Sequence, residues 1–328
     1  MKPSRIESVL RQVVRLRWPA FVWGPPGVGK SSVVKQVADR EGLPLRDVRA
    51  SLLDPTDLRG IPTITDGRAV WCPPAFLPHE HEEAGILFLD EINAAPPLVQ
   101  AALYQLVLDR QIGEYRLPAG WRIIAAGNRQ EDRAVIFRLS SALANRFIHL
   151  SFDVDYDDWR QWALEHKAHP WVIGLLAMRR ELLCGPPADS PAYPTPRSWE
   201  MVSDVLQAAG SLKACADVLP GIVGEAAAAE FIGFASRSLR EEDFLAILRN
   251  PETAKLPTGL GDIYALTAWL TYRASEAQDR RAAAVLLNRL DPEFAVLLAR
   301  SMLASSLEIL QEPGYQEFVK KHAELING

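Results

Sequence analysis

The sequence has no run of 18 consecutive apolar residues, so it predicts no membrane-spanning helix. It also has little cysteine. The three cysteines are far apart and show neither a disulfide framework nor a zinc-ligand spacing, which favours the cytoplasm as the compartment. Excess positive charge is lacking as well, since the formal net charge is −5, and this argues against strong non-specific binding of nucleic acid.

What the chain does have is the composition of an ordinary globular protein. Of its 328 residues, 48% are hydrophobic and 23% are charged, which supplies a sizeable core and suggests two or three domains. The basic N-terminal stretch lacks the apolar core of a signal peptide. Ile6, Val9, Leu10 and Val13 fall on one helical face, so we interpret this stretch as a packed amphipathic helix rather than a targeting peptide.

The most informative stretch is G-P-P-G-V-G-K-S at residues 24–31, which matches the phosphate-binding pattern G-x-x-x-x-G-K-[ST]. A buried strand is predicted at Ala20 to Trp23 and a helix at Ser31 to Arg40. This order aims backbone N–H groups and a helix N-terminus at an anion, and the glycines allow close approach. The predicted nucleotide-binding residues are Gly24, Pro25, Pro26, Gly27, Val28, Gly29, Lys30, Ser31 and Ser32.

The lysine and the serine that end this loop have separate predicted roles. Lys30 would neutralise charge on the β- and γ-phosphates, and the Ser31 hydroxyl would hold Mg²⁺. A plain glycine turn between a strand and a helix is the alternative interpretation.

A second motif, I-L-F-L-D-E at residues 86–91, predicts a buried parallel strand with two carboxylates at its C-terminal end. Ligands bind at that end in open α/β sheets. Asp90 is placed to hold Mg²⁺ through water, and Glu91 to orient or deprotonate an attacking water. The alternative is a strand followed by an acid that caps a helix.

Further elements complete a parallel sheet with flanking helices. A helix is predicted from Pro96-Pro97 to about Asp109, with Leu98, Ala102, Leu103 and Leu106 inward. The stretch Ser51–Gly85 is predicted to be irregular, and it is too long for a plain connection, so it is expected to be functional or to carry small elements of its own. The other predicted elements are a strand at Leu45–Arg49, a hairpin around Gly113 within Gln111–Pro118, a strand at Trp121–Ala126, a short helix at Ser140–Phe147 and a closing strand at Ile148–Phe152.

Two polar sites between these elements allow more than one interpretation. Asn128 follows a predicted strand, where its amide would bond both a γ-phosphate oxygen and the attacking water, or would simply form a turn. Cys72, His79 and His81 suggest a metal site, but Pro73, Pro74 and Pro78 interrupt the stretch and favour a polar loop.

From Asp153 onward, apolar strand-like runs disappear and helical patterns take over. Helices are predicted at Trp159–His166, Pro170–Leu183, Ser198–Ala209 and Ile222–Ser236, with later breaks at Asn250-Pro251, Lys255–Gly261 and Asp291-Pro292. We therefore expect an α/β nucleotide-binding core at 1–152, an all-α lid at 153–236 and a helical C-terminal extension at 237–328.

Together these motifs resemble the AAA+ ATPases, and within them the MoxR group. Residues 24–31 resemble Walker A, and D-E-I-N at residues 90–93 resembles the form of Walker B that is typical of that group. The proline-led helix, the stretch from Asp57 onward and the hairpin at Gln111–Pro118 also resemble the group. The resemblance covers about residues 1–236 and implies an AAA+ P-loop core followed by an α-helical lid.

The resemblance also assigns roles to three residues. Asn128 falls on the sensor 1 position, Arg146 on the arginine-finger position and Arg197 on the sensor 2 position at the start of a lid helix. Arg138 and Arg133 lie near enough to be alternatives for the finger. With Lys30 and Glu91, these side chains form the predicted catalytic set.

The function implied by the resemblance is ATP hydrolysis with Mg²⁺ in a ring, most often of six subunits, that remodels or activates a partner protein. MoxR-group proteins tend to work with a partner carrying a von Willebrand A domain, so we expect such a partner and an unidentified client.

Two other classes of function compete with this one. A nucleic-acid motor of a restriction or defence type would use basic residues in or near the inserted elements, namely Arg59, Arg68, Arg110 and Arg116. The usual interpretation of such arginines is a solvated surface. A non-enzymatic scaffold would bind ATP as a structural ligand, but Glu91 argues against it, because a pure binder has no use for a water-activating carboxylate.

Overall fold

A computed structural model describes residues 1–132, 137–185 and 190–322. The chain divides into two compact units, Met1–Asp155 and Tyr156–Gly328, called here the first and the second unit. Within the described ranges, no helix is both long and apolar enough to cross a bilayer.

The first unit alternates strands and helices. Its strands are β1 (Ala20–Trp23), β2 (Leu45–Arg49), β3 (Ile61–Thr65), β4 (Arg68–Cys72), β5 (Ala84–Asp90), β6 (Gln111–Ile112), β7 (Tyr115–Arg116), β8 (Gly120–Gly127) and β9 (Ile148–Ser151). Its helices are α1 (Pro3–Leu16), α2 (Lys30–Glu41), α3 (Pro55–Arg59), α4 (Pro97–Asp109) and α5 (Ser141–Ala144).

Five of these strands form one parallel sheet in the order β2-β5-β8-β1-β9. The inner strands are mostly apolar, as is typical of parallel strands covered on both faces. Leu87, Phe88 and Leu89 of β5 are fully buried, and each such side chain stabilises the fold by about 1.5–3 kcal/mol. The carboxyl ends of β5, β8 and β1 therefore lie side by side at one edge of the sheet.

The predicted α/β core with a parallel sheet and flanking helices is confirmed, and β1 and β2 have the predicted bounds. The amphipathic N-terminal helix is confirmed as α1, which packs against α2 and buries Ile6, Leu10 and Val13.

Two predictions about the first unit's helices are corrected. Leu98 was expected to point inward, but it is 72% exposed and Val99 is buried instead. The inward positions of α4 are Val99, Leu103 and Leu106 at helical spacing, so the prediction is confirmed for Leu103 and Leu106. The helix expected at Ser140–Phe147 is shorter: α5 ends at Ala144.

The stretch Ser51–Gly85 was expected to be irregular and to be functional or carry small elements of its own, and it contains two such elements, helix α3 and the antiparallel hairpin β3–β4. Asp66 and Gly67 join the two strands with positive φ angles of 53° and 71°. Such angles at both turn positions are typical of a two-residue hairpin turn.

The second unit is built from helices over its described length. These are α6 (Tyr156–Glu165), α7 (Pro170–Met178), α8 (Pro196–Ala209), α9 (Pro220–Val223), α10 (Glu225–Ala235), α11 (Glu241–Arg249), α12 (Leu260–Ala274), α13 (Ala277–Leu287), α14 (Pro292–Ser305) and α15 (Pro313–Lys321). The predicted helical character and the presence of later breaks are confirmed. The helix expected at Pro170–Leu183 is shorter, since α7 ends at Met178, and the break expected at Lys255–Gly261 ends earlier, since α12 begins at Leu260. The helix expected at Ile222–Ser236 is instead two helices, interrupted at Gly224.

Helices on both sides of residue 236 pack together in the second unit, since α7 contacts α12 and α12 contacts α14. The functional division into a lid at 153–236 and an extension at 237–328 stays a prediction. Within the proline-rich segment Gly185–Pro196, residues 186–189 lie outside the described ranges.

Candidate active site

The loop between β1 and α2 presents an open helix N-terminus. Gly29, the residue before α2, has a left-handed backbone with φ of 100°, and no described side chain caps the helix there. A Cβ built on Gly29 would meet no described atom within 4 Å. The first N–H groups of a helix have no partner inside the helix, and its dipole favours negative charge. This loop therefore suits a phosphate group.

Lys30 lies within that loop with its side chain largely buried, at 8% exposure. Its Nζ donates to Gly24 O at 2.7 Å, to Pro25 O at 2.8 Å and to Asn128 Oδ1 at 3.0 Å. The loop after β1 and the residue after β8 are thus joined through one ammonium group. Lys30 and Asn128, predicted from separate motifs, are brought together.

Ser31 and Asp90 also meet, although 59 positions separate them in the chain. Ser31 Oγ donates to Asp90 Oδ2 at 2.9 Å, and Asp90 is 8% exposed. Hydroxyl and carboxylate oxygens are hard ligands of the kind Mg²⁺ accepts alongside phosphate oxygens and water. The pair fits the predicted metal-binding role.

Glu91 points to a different partner from Asp90. Its backbone is left-handed, with φ of 55° and ψ of 33°, and its N–H donates to Asp90 Oδ1 at 2.9 Å. Ser51 Oγ donates to Glu91 Oε2 at 2.5 Å. Ser51 follows β2, which lies on the side of β5 away from β8 and β1. The sequence did not single out Ser51, because only strand pairing places it beside Glu91.

The negative charge at this edge of the sheet affects strand β2 as well. Burial, with a further contribution from the carboxylate of Asp90, raises the pKa of Asp47 above its ordinary value, and Arg49 opposes this shift.

Asn93 fixes the backbone of Asn128. Asn93 Nδ2 donates to Asn128 O at 2.7 Å, and Asn128 N donates to Asn93 Oδ1 at 3.2 Å. Asn93 is 1% exposed, and a Cβ added to Gly127 would lie 2.3 Å from Asn93 Oδ1. Glycine at 127 therefore allows the asparagine to approach this closely. The D-E-I-N motif contained Asn93, but its contact with Asn128 was not predicted.

The candidates for the arginine finger lie further along the chain, in the segment that precedes β9. Arg146 is exposed in the turn between α5 and β9, where its N–H donates to Leu143 O at 3.1 Å. Arg138 is also exposed, and Arg133 lies outside the described residues. The choice among them stays a prediction.

Arg197 belongs to the second unit, in the first turn of α8. Thr195 caps this helix: its Oγ1 accepts from Ser198 N at 3.0 Å, and Ser198 Oγ accepts from Thr195 N at 2.7 Å. The cap fixes the start of the helix and leaves Arg197 exposed. Its sensor role stays a prediction.

Two arginines from the nucleic-acid alternative have local partners. Arg110 donates to Pro118 O and to Trp121 O, both at 2.8 Å, and burial lowers its pKa. The Arg59 guanidinium lies 5.4 Å from the centre of the Trp71 ring. Arg110 therefore holds the β6–β7 hairpin to the sheet.

The metal alternative at Cys72, His79 and His81 has no ligand cluster in the part of the chain that the structure describes. His79 Nδ1 accepts from His81 N at 3.4 Å, a contact within the loop itself.

Comparison with known families matches residues 19–147 to the AAA domain (dynein-related subfamily). The matched segment runs from the residue before β1 to the residue after Arg146, and so contains the whole cluster described above.

Among curated proteins, the chain is similar to protein MoxR of Paracoccus denitrificans, with 30% identity over 130 residues, 38% of each chain. Protein MoxR of Methylorubrum extorquens is 30% identical over 150 residues, 44% of this chain and 43% of that one. The similarity thus spans about two fifths of these relatives' length. Among solved structures, a point variant of RuvB from Thermotoga maritima is 17% identical over 96% of this chain and 85% of that one, at a TM-score of 0.37.

Proposed function

This chain is an AAA+ protein of the MoxR group, and from that premise we propose that it hydrolyses ATP to remodel or activate a partner protein. The observation that carries the proposal is the convergence of Lys30, Ser31, Asp90 and Asn128 at the carboxyl ends of β1, β5 and β8. These side chains come from three motifs, and the fold joins them by hydrogen bonds.

The loop residues Gly24 to Ser32 would bind the ATP phosphates, with Lys30 neutralising their charge. Ser31 and Asp90 would hold Mg²⁺, which when bound supplies further neutralisation of the phosphate oxygens. Asn128 lies beside Lys30, and its amide would orient a water toward the terminal phosphate.

Glu91 would accept the proton of that water. Asp90 is already engaged with Ser31, so the two adjacent carboxylates have separate tasks. The Ser51 hydroxyl holds Glu91 on the β2 side of β5, and catalysis then requires that this contact be released.

A ring of subunits would complete the site. AAA+ proteins are typically oligomeric, and we propose a hexamer in which Arg146 of one subunit reaches the phosphates bound by its neighbour. Finger arginines in other phosphoryl-transfer systems are worth about 10³–10⁵ in rate. Arg197 would act within its own subunit, and the helices after residue 236 would contact partners or neighbours.

Mixed rings test the trans role of Arg146. Arg146→Ala and Glu91→Gln are expected to be inactive alone, yet active after mixing, because some interfaces then combine an intact Glu91 with an intact Arg146. Mass measurement and subunit labelling verify that the rings are mixed. Verified mixed rings that stay inactive would remove the trans role.

A partner carrying a von Willebrand A domain is proposed from the resemblance to the MoxR group. The cytoplasm is proposed as the compartment because the three cysteines are far apart and show no disulfide framework. Glu91→Gln, loaded with ATP, should trap this partner, whereas Lys30→Ala should not. The measurement is identification of proteins that co-purify with each variant. Equal capture by both variants, or ATPase stimulation by DNA that falls steeply with salt, would contradict the partner proposal.

A further inference from the structure

A histidine on the edge strand of the sheet bridges the phosphate loop's strand and the turn that carries Arg146. His149 lies in β9, and its ring stands between Trp23 of β1 and the end of α5. Trp23 Nε1 donates to His149 Nδ1 at 2.8 Å, and His149 Nε2 lies 2.8 Å from Ala144 O.

These two contacts fix the tautomer of the ring. An indole N–H is only a donor, so His149 Nδ1 must be the acceptor. The proton of the neutral imidazole is then on Nε2, which donates to the carbonyl of Ala144. One neutral ring therefore satisfies both of its neighbours.

The carbonyl that His149 holds is two residues before Arg146. Ala144 ends α5, and its oxygen also accepts from Phe147 N at 3.2 Å. Arg146 N donates to Leu143 O at 3.1 Å. Since Leu143 and Phe147 are buried and Arg146 is exposed, the turn projects Arg146 from between two anchored positions.

Aromatic packing holds the other side of the bridge. Trp23 stacks on Phe21 with ring centroids 4.0 Å apart, and Phe21 meets the edge of Phe147 at 5.4 Å. Trp23 directly precedes Gly24, the first residue of the phosphate loop. The hydrogen bonds thus connect the start of that loop with the Arg146 turn on the neighbouring strand.

We propose that His149 is a positioning residue for Arg146: its ring fixes the turn from Ala144 to Phe147, and thereby the direction in which Arg146 extends toward a neighbouring subunit. This inference rests on the proposed trans role of Arg146. His149 itself touches neither the nucleotide loop residues Lys30 and Ser31 nor the carboxylates through any contact described above.

Substitution of the ring separates positioning from folding. His149→Ala should lower kcat roughly tenfold, with nucleotide affinity, ring assembly and unfolding temperature near wild type. His149→Gln should restore most of the rate, because its amide offers an acceptor and a donor. His166→Ala is the matched control: this exposed histidine also bonds a carbonyl, Trp162 O at 2.8 Å, but lies in the second unit. An unchanged kcat in His149→Ala would overturn the proposal.

Mixed rings identify the residue through which His149 acts. In rings that combine His149→Ala and Glu91→Gln subunits, the turnover per intact Glu91 should be higher than in rings of His149→Ala alone. The Glu91→Gln subunits supply an undisturbed Arg146 turn to their neighbours. Mixed with Arg146→Ala, it should regain nothing, because every finger is then impaired.

Two failures are distinguishable. If Arg146→Ala recovers with Glu91→Gln but His149→Ala does not, the positioning proposal is wrong and the trans finger stands. If neither variant recovers, the trans finger fails and this proposal fails with it.

Discussion

The two units differ in what their buried polar side chains contact. In the first unit, such side chains join separate elements: Lys30 bonds Asn128, Ser31 bonds Asp90, and Asn93 bonds the Asn128 backbone. In the second unit, such side chains join one helix to another or bond their own helix. Arg160 donates to Ser301 Oγ at 3.3 Å between α6 and α14, and Thr271 Oγ1 donates to Thr267 O at 2.8 Å within α12.

This difference distinguishes side chains that are placed for a ligand from side chains that stabilise the fold. Side chains that bond across strand ends are placed for a ligand, and their loss changes the site more than the fold. Hydroxyls that bond their own helix satisfy the backbone, while the surrounding apolar residues, such as Leu266, Leu270 and Leu298, supply stability. Substitutions at these strand ends should therefore act on nucleotide binding and turnover, and substitutions in the apolar core of the second unit should act on folding.

The largest expected effect is the loss of nucleotide affinity in Lys30→Ala. Removing the ammonium from the loop should weaken ATP binding about a thousandfold, roughly 4 kcal/mol, because charge-assisted contacts to phosphate are lost. Titration calorimetry measures the affinity. Lys35→Ala, on the exposed face of the same helix, is the control and should bind as wild type. Equal affinity of the two variants would remove Lys30 from the phosphate site.

In the second unit, His169 should make the free energy of unfolding depend on pH. Burial lowers the pKa of His169 from 6.5 to about 4, and its Nδ1 accepts from Trp171 N at the start of α7. The unfolded chain takes up the proton first as the pH falls, so this residue's stabilisation is present above pH 6.5 and is lost toward pH 4. The loss should approach about 2–3 kcal/mol.

Thermal unfolding of the full chain at about pH 7 and about pH 5 checks this expectation against His169→Asn, which keeps a side-chain cap without a titrating group. The wild type should lose more stability than the variant between the two pH values. Parallel losses in both proteins would show that His169 is not the group responsible.

The sequence predicted the strands and the phosphate loop because their signals are local. Four apolar residues before Asp90, and glycines before Lys30, define those elements without knowledge of their neighbours. The β3–β4 hairpin also had a local signal, the pair Asp66-Gly67, which is typical of a tight hairpin turn. The inward face of α4 was misjudged in its first turn, where Val99 is buried instead of Leu98, while Leu103 and Leu106 are buried as predicted.

Ser51, His149 and the contact made by Asn93 were beyond prediction for a different reason. Each acts through strands or turns brought together by the order β2-β5-β8-β1-β9. Ser51 meets Glu91 only because β2 pairs with β5, and His149 meets Trp23 only because β9 pairs with β1. Pairing of distant segments is set by the whole sheet, not by motif spacing.

A smaller effect is expected for Asn93→Ala. Asn128 then loses both of its backbone contacts with the buried amide, so turnover should fall about tenfold while ATP affinity stays near wild type. Asn93→Asp keeps the acceptor but loses the donor, so its turnover should lie between those of wild type and Asn93→Ala. Steady-state ATPase assays measure the rates. Wild-type turnover in Asn93→Ala would show that Asn128 needs no such support.

The smallest effect is expected for Ser51→Ala. The hydroxyl bonds the Glu91 carboxylate, and the proposed mechanism requires that this contact be released, so its removal should raise basal turnover by about twofold to fivefold. Ser51→Thr keeps a hydroxyl and serves as the control. A fall in the basal rate of Ser51→Ala would mean that Ser51 instead orients Glu91 for catalysis.

The most direct test of ATP hydrolysis at these strand ends is single-turnover hydrolysis of bound ATP by wild type and Glu91→Gln. The substitution keeps the size of the side chain and removes its capacity to accept a proton. We predict that Glu91→Gln binds ATP as tightly as wild type and retains it unhydrolysed, while wild type converts it to ADP and phosphate. Equal rates of conversion in the two proteins would contradict the assignment of this site as the centre of ATP hydrolysis.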